Sequence, residues 1–208
     1  MQGLTRQVAE FIACAPSLKL DESITSMVRD GFIDTVGVML AGRLEPVTTI
    51  VRQFAENRRC GAGEARVLWE GTRLSARDAA LVNATAGHAL DYDDVGLMGH
   101  PSVVLVPALL AEGERLQVSG EQLIRAYVVG YEVWAELIAR DQHRHHTKGW
   151  HPTAVFGVLA SAASVAALRG LDVQHSQNAI GIGLARSEHH SITDMARSVV
   201  HPIAQSGS

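Results

Sequence analysis

The run from Ala154 to Leu168 is built of small and apolar residues and carries no charged side chain. A helix that is apolar on every side is stable only when other elements surround it. The run therefore predicts a fully buried helix inside a helical assembly. A chain of 208 residues is long enough to bury such a core. Apolar residues make up 47% and aromatic residues 5%, with alanine abundant. Small side chains let helices approach closely, so the expected fold is all-α.

The rest of the chain supplies helix boundaries. Val8, Phe11 and Ile12 mark a first helix from Leu4 to Ala13, ending near Pro16. Asp21 is placed to cap a second, whose stripe comprises Ile24, Met27, Val28, Phe32, Val36, Val38 and Leu40, stopping at Gly42. Gly31 and Gly37 within it leave room for a close neighbour. Pro46 opens a third helix that ends before Gly61. Ala65 to Trp69 is the one convincing extended segment. Ser75 and Ser119 each begin a capping-box form, the first leading into a helix to about Leu90. A helix from Ser102 to about Leu116 contains Pro107, which either kinks it or lies in its first turn. Asp172 caps a last helix to about Ala185. The reading is one helical domain over 1–188 and a divergent tail over 189–208, whose Gln205-Ser206-Gly207-Ser208 end is of a kind that often frays.

Several function classes fall away. A net charge of −4 gives no basic footprint for nucleic acid. No stretch is long and apolar enough for a membrane span, and Arg6 and Glu10 interrupt the only apolar segment that could serve as a secretory signal. Cys14 and Cys60 are too few and too far apart for a disulfide framework or a zinc site. The expected setting is the cytoplasm.

The chemistry concentrates in Gly87-His88-Ala89-Leu90-Asp91-Tyr92-Asp93-Asp94 and Gly99-His100-Pro101-Ser102, with no Lys or Arg between Arg77 and Arg115. Close carboxylates raise one another's pKa, and an imidazole beside them is a natural general base. The same spacing also fits a solvated loop at a helix end, and the residues leave both readings standing. His151, in Trp150-His151-Pro152-Thr153, sits at the positive end of the buried helix, which favours neutral imidazole and suits a carboxylate ligand. A packed cap is the alternative there. His143, His145, His146 and His151 raise the question of a metal. Their surroundings argue against it, because Asp141 is the only nearby acid and Arg140, Arg144 and Lys148 repel a cation. A basic patch that attracts an acidic substrate is the other use of that turn. Ser187-Glu188-His189 lacks a nucleophile elbow and is rejected as a hydrolase triad.

The segments Asp34 to Gly42, Leu74 to Asn83, His88 to Asp94, His100-Pro101-Ser102, Ala126 to Glu132 and Gly149 to Thr153, in this order, resemble the MmgE/PrpD family over about residues 5 to 188. That family includes 2-methylcitrate dehydratase, cis-aconitate decarboxylase and an iminodisuccinate epimerase. The resemblance implies a metal-independent lyase or epimerase without a cofactor, acting on a small di- or tricarboxylate. It also implies a helical domain that forms a homodimer and one wall of the site, closed by a second lid domain. By motif, Asp91, His100 and His151 are the catalytic candidates. Asp94, Ser102 and His201 are candidates for contact with substrate, while Asp93 and Asp94 are expected to shape the turn. Val95 stands where the family has Thr, which removes one substrate hydrogen bond. If His201 matches a family histidine, Ser198 stands where a site lysine is expected. With the lid also missing, the alternative expectation is an inactive helical fragment that dimerises.

Overall fold

The computed structural model describes residues 3–141 and 144–187. Its helices are α1 (Leu4–Ala13), α2 (Glu22–Ala41), α3 (Pro46–Asn57), α4 (Ala76–His88), α5 (Pro101–Leu116), α6 (Gly120–Asp141), the short α7 (Arg144–Thr147), α8 (Pro152–Leu168) and α9 (Val173–Ser187). Between α3 and α4, β1 (Ala65–Arg66) pairs antiparallel with β2 (Arg73–Leu74). The fold is all-α with this one small ribbon, as expected. The extended segment is shorter than predicted: beyond Arg66 the backbone turns, and the Leu68 N–H is taken by the Asn83 side chain at 3.1 Å. No helix among the described residues is long and apolar enough to cross a membrane.

Helix starts follow the capping chemistry. Asp21 and Asp172 accept from the backbone N–H of Ile24 and His175, each at 2.8 Å. Ser119 forms the full reciprocal box with Gln122. Ser75 caps through Asp78 N–H, but the Asp78 carboxylate is too short to return to the backbone and accepts from the Ser75 hydroxyl instead.

α8 is the centre of the bundle. It packs against α6, α5 and α9, and α4 packs in turn on α5, α2 and α3. Val155, Phe156, Leu159, Ala160, Ala163 and Ala167 are buried, and the Ser164 hydroxyl donates to Ala126 O at 2.7 Å. Burial is not complete all round. Thr153, Val158 and Ser161 line a groove of about 830 Å³ shared with α4 and α5. Pro107 lies well inside α5.

The α2 stripe is also only partly covered. Of its residues only Val28 is buried, while Ile24 and Leu40 are exposed and Met27 is 70% exposed; Thr35 and Met39, outside the predicted stripe, complete the buried face. Gly37 meets no neighbour within 4 Å, contrary to the expectation of a close approach there. The tight glycine is Gly42, where an added Cβ would lie 2.1 Å from the Ala86 carbonyl oxygen. Gly42→Ala is expected to push α2 off α4 and cost about 1–3 kcal/mol, as overpacking does. Urea unfolding of the variant checks this, and an unchanged midpoint would contradict it.

Candidate active site

The site is built where α4 ends and α5, α6 and α8 converge. His88 is the last residue of α4, and the loop that follows reaches α5 at Pro101. Three non-glycine residues of that loop adopt left-handed backbone: Asp91 (φ 54), Leu97 (φ 50) and Met98 (φ 61). Asp tolerates this region, whereas Leu and Met occupy it only when the surroundings impose it. The surroundings do so here. Gly96 and Gly99 exchange backbone hydrogen bonds at 2.9 Å. The indole N–H of Trp134, on α6, donates to Leu97 O at 3.2 Å. The Thr153 hydroxyl, on α8, accepts from His100 N–H at 3.2 Å. A Cβ on Gly99 would come within 2.9 Å of the Trp134 ring, so the loop lies directly on α6 and α8.

Anchored in this way, the loop turns Asp93 inward until its carboxylate is fully buried. His88 Nδ1 lies 2.9 and 3.1 Å from its two oxygens. A carboxylate only accepts, so the His88 proton sits on Nδ1 and Nε2 carries the lone pair when the ring is neutral. His100 Nδ1 lies 3.1 Å from the same carboxylate. That approach is close but misaligned, and His100 Nδ1 is buried without a hydrogen bond. The two imidazoles meet edge to face with centroids 4.7 Å apart. His100 Nε2 points towards Asp91, 3.6 Å away, whose side chain is 77% exposed.

His151, the residue before α8, is partly buried next to this pair. Burial lowers its pKa, and the His88, His100 and His146 charges lower it further. Because the folded state then binds protons less readily than the unfolded chain, His151 weakens the fold once pH falls below the ordinary histidine value of about 6.5. The penalty grows until pH reaches the depressed folded value and is absent above the ordinary one. The melting temperature should therefore fall less steeply in His151→Gln than in the wild type between about pH 7 and 5. Parallel slopes would contradict the assignment.

Asp91, His100 and His151 are thus gathered at one place, together with His88 and Asp93. Asp94 and Ser102 face elsewhere. Asp94 accepts from Ser102 N–H at 3.1 Å and from its hydroxyl at 2.7 Å, holding the first turn of α5, and Ser102 Oγ is 2.7 Å from the Tyr127 hydroxyl. These groups line a separate cavity of about 260 Å³ with Met27, Val28 and Tyr131. Burial raises the Asp94 carboxyl against the lowering effect of its Ser102 bonds, and it pushes the Tyr127 hydroxyl up to about 12. His201, His143, His189 and His190 lie outside the described residues. The described part of the basic turn does not gather a metal-binding group. His145 is engaged with Asp141 and meets the Trp150 and Phe156 rings edge to face. The residues that sequence reasoning passed over are His88 and the inward role of Asp93. A histidine ending a helix five residues before an aspartate was the available signal.

The chain matches the MmgE/PrpD N-terminal domain over residues 6–202. It is 28% identical to cis-aconitate decarboxylase of Mus musculus and 30% identical to that of Homo sapiens, each over 195 residues, covering 90% of this chain and 40% of the relative. It is 29% identical to the cis-aconitate decarboxylase of Aspergillus terreus over 136 residues, covering 60% of this chain and 27% of the relative. The chain therefore spans about 40% of the length of the two mammalian relatives. The extent of the domain match shows that this chain belongs to the MmgE/PrpD family.

Proposed function

We propose that this chain carries one wall of a lyase site for a small di- or tricarboxylate. The observation that supports this most is the pair of imidazoles, His88 and His100, set on the single buried carboxylate of Asp93 beside a partly buried His151. In an elimination, one imidazole takes the proton from a carbon next to a carboxylate. A second gives a proton to the departing hydroxyl, which leaves as water. In a decarboxylation the C–C bond to a carboxylate breaks, carbon dioxide leaves, and an imidazolium returns a proton to the carbon. Each positioned acid or base contributes about 10²–10⁴-fold. His100 and His151 are assigned the base and acid roles, Asp93 holds the rings, and Asp91 orients a substrate hydroxyl or an imidazole. Asp94 and Ser102 support the wall from behind.

The relatives' names make cis-aconitate the first substrate to test, with 2-methylcitrate and citrate beside it. A second reading is favoured by solvent access: His88 is 40% and Asp91 77% exposed. Proton-transfer and charge-stabilising sites depend on dry, preorganised surroundings, so in this reading the chain alone is inactive. Incubating the purified 208-residue chain with the three acids, and following carbon dioxide release and the ultraviolet absorbance of the alkene, separates the two. Turnover supports the lyase reading and removes the second. No turnover with any of the three favours the second.

The partner assigned is a second copy of the chain. Ile33, Leu44, Ile50 and Phe54 on and between α2 and α3 are each 50–77% exposed, and large apolar side chains left open in this way are of the kind that interfaces bury. Light scattering that returns a monomer at high concentration would remove this assignment. The free, exposed Cys14 and Cys60 thiols are compatible with the reducing cytoplasm.

A further inference from the structure

His88, Asp91, Asp93 and His100 present one donor atom each, all within 4.8 Å of one another. We propose that these four side chains form a binding site for a borderline divalent cation of the Zn2+ type. Two imidazoles with two carboxylates are a donor set that Zn2+ accepts. Donors sharing a tetrahedral Zn2+ at about 2.0–2.2 Å stand about 3.3–3.6 Å apart. His88 Nδ1 and His100 Nδ1 already stand 2.9 and 3.1 Å from the Asp93 carboxylate, whereas Asp91 lies 3.6 Å from the opposite ring nitrogen, His100 Nε2, so the exposed Asp91 side chain must swing to complete a shell whose four donors start within 4.8 Å of one another.

A second observation is independent of the donor count. His100 Nδ1 is buried and lacks a hydrogen bond although a carboxylate oxygen is 3.1 Å away. A buried nitrogen in that condition costs free energy that a coordinate bond would recover. The frame behind the donors is fixed by Trp134 and Thr153, which lowers the ordering cost of binding. The exposed Asp91 and half-exposed His88 leave a way in from solvent. No Lys or Arg lies in the sequence from Asp78 to Glu114 to repel a cation. Mg2+, which prefers six oxygen donors in an octahedron, fits this set poorly. The cation is a ligand rather than a cofactor here. It would engage His100, one of the two rings assigned to the proposed proton transfers, so any turnover should fall when Zn2+ is added.

Calorimetric titration of the tag-free 208-residue chain with ZnCl2, and separately with MgCl2, tests the site without reference to any reaction. One Zn2+ per chain is expected, with Co2+ giving a tetrahedral visible absorption band and Mg2+ giving no comparable heat. His88→Gln with His100→Gln should abolish the site, whereas His145→Gln with His146→Gln should leave it. Asp91→Asn, at an exposed position that tolerates substitution, should weaken Zn2+ at least about tenfold. The proposal is overturned by wild-type affinity in the His88→Gln, His100→Gln pair, by Mg2+ matching Zn2+, or by no Zn2+ binding at all. If that pair fails to fold, unchanged affinity in Asp91→Asn overturns it. Absence of lyase turnover in the Zn2+-free chain would count against the lyase proposal and leave the cation site intact.

Discussion

Asp93→Asn is expected to lower turnover by about 10²–10⁴-fold while leaving the chain folded. The carboxylate is fully buried and faces Nδ1 of both His88 and His100. As an acceptor it keeps the His88 proton on Nδ1 and leaves Nε2 free. An asparagine of the same shape turns one end into an N–H donor. That donor needs a lone pair opposite it, so at least one imidazole must move its proton to Nε2. A ring in the wrong tautomer offers a proton where the reaction needs a base. The fold itself should lose no more than about 1–3 kcal/mol, the cost of a buried polar group left badly paired. Ring-nitrogen NMR of the 208-residue chain reads the tautomers without any assay, and turnover of the accepted acid reads the rate. Unchanged tautomers together with a rate within about tenfold of wild type would remove Asp93 from the assigned role.

That role was not legible in the sequence, and the reason is local. Asp91, Asp93 and Asp94 sit in a segment without helical or strand period, so spacing cannot say which turns inward. The direction is decided by the left-handed backbone of Asp91, Leu97 and Met98, imposed in part by Trp134 from more than thirty residues away. Neither Leu nor Met signals such a conformation. Helix ends were legible because their causes are local: Asp21, Ser119 and Asp172 cap the turns that follow them, and Pro46 starts α3. The stripe on α2 marks the middle case. Its period gave the helix correctly, but period alone does not distinguish a face buried in its own bundle from one left exposed, as Met27 is. Short motifs single out His100 and His151, whereas His88, although it lies in the same acidic stretch, carries no spacing signal that by itself gives it a role.

The largest loss of stability is expected for Trp134→Ala, which ties the core to the candidate site. Trp134 is wholly buried, packed against Gly157 on α8 and against Gly99 in the loop. Truncating a buried tryptophan costs about 3–5 kcal/mol, a large share of the 5–15 kcal/mol that typically holds a domain together (~10 kcal/mol). Part of that cost belongs to the loop, because Leu97 O loses its indole partner. Trp134→Phe separates the two contributions: it keeps most of the ring volume and removes the N–H. Its stability loss should be about 1–3 kcal/mol, with amide exchange rising at 96–100 while the centre of α8 remains protected. Loosening there would reach His100 through Gly99 before it reached the bundle, so the His88 and His100 ring signals should broaden in Trp134→Phe. Urea unfolding followed by circular dichroism gives the first quantity, and hydrogen exchange gives the second. A loss below about 1 kcal/mol for Trp134→Ala would mean that α6 and α8 close over the missing ring, and that the loop is held from elsewhere.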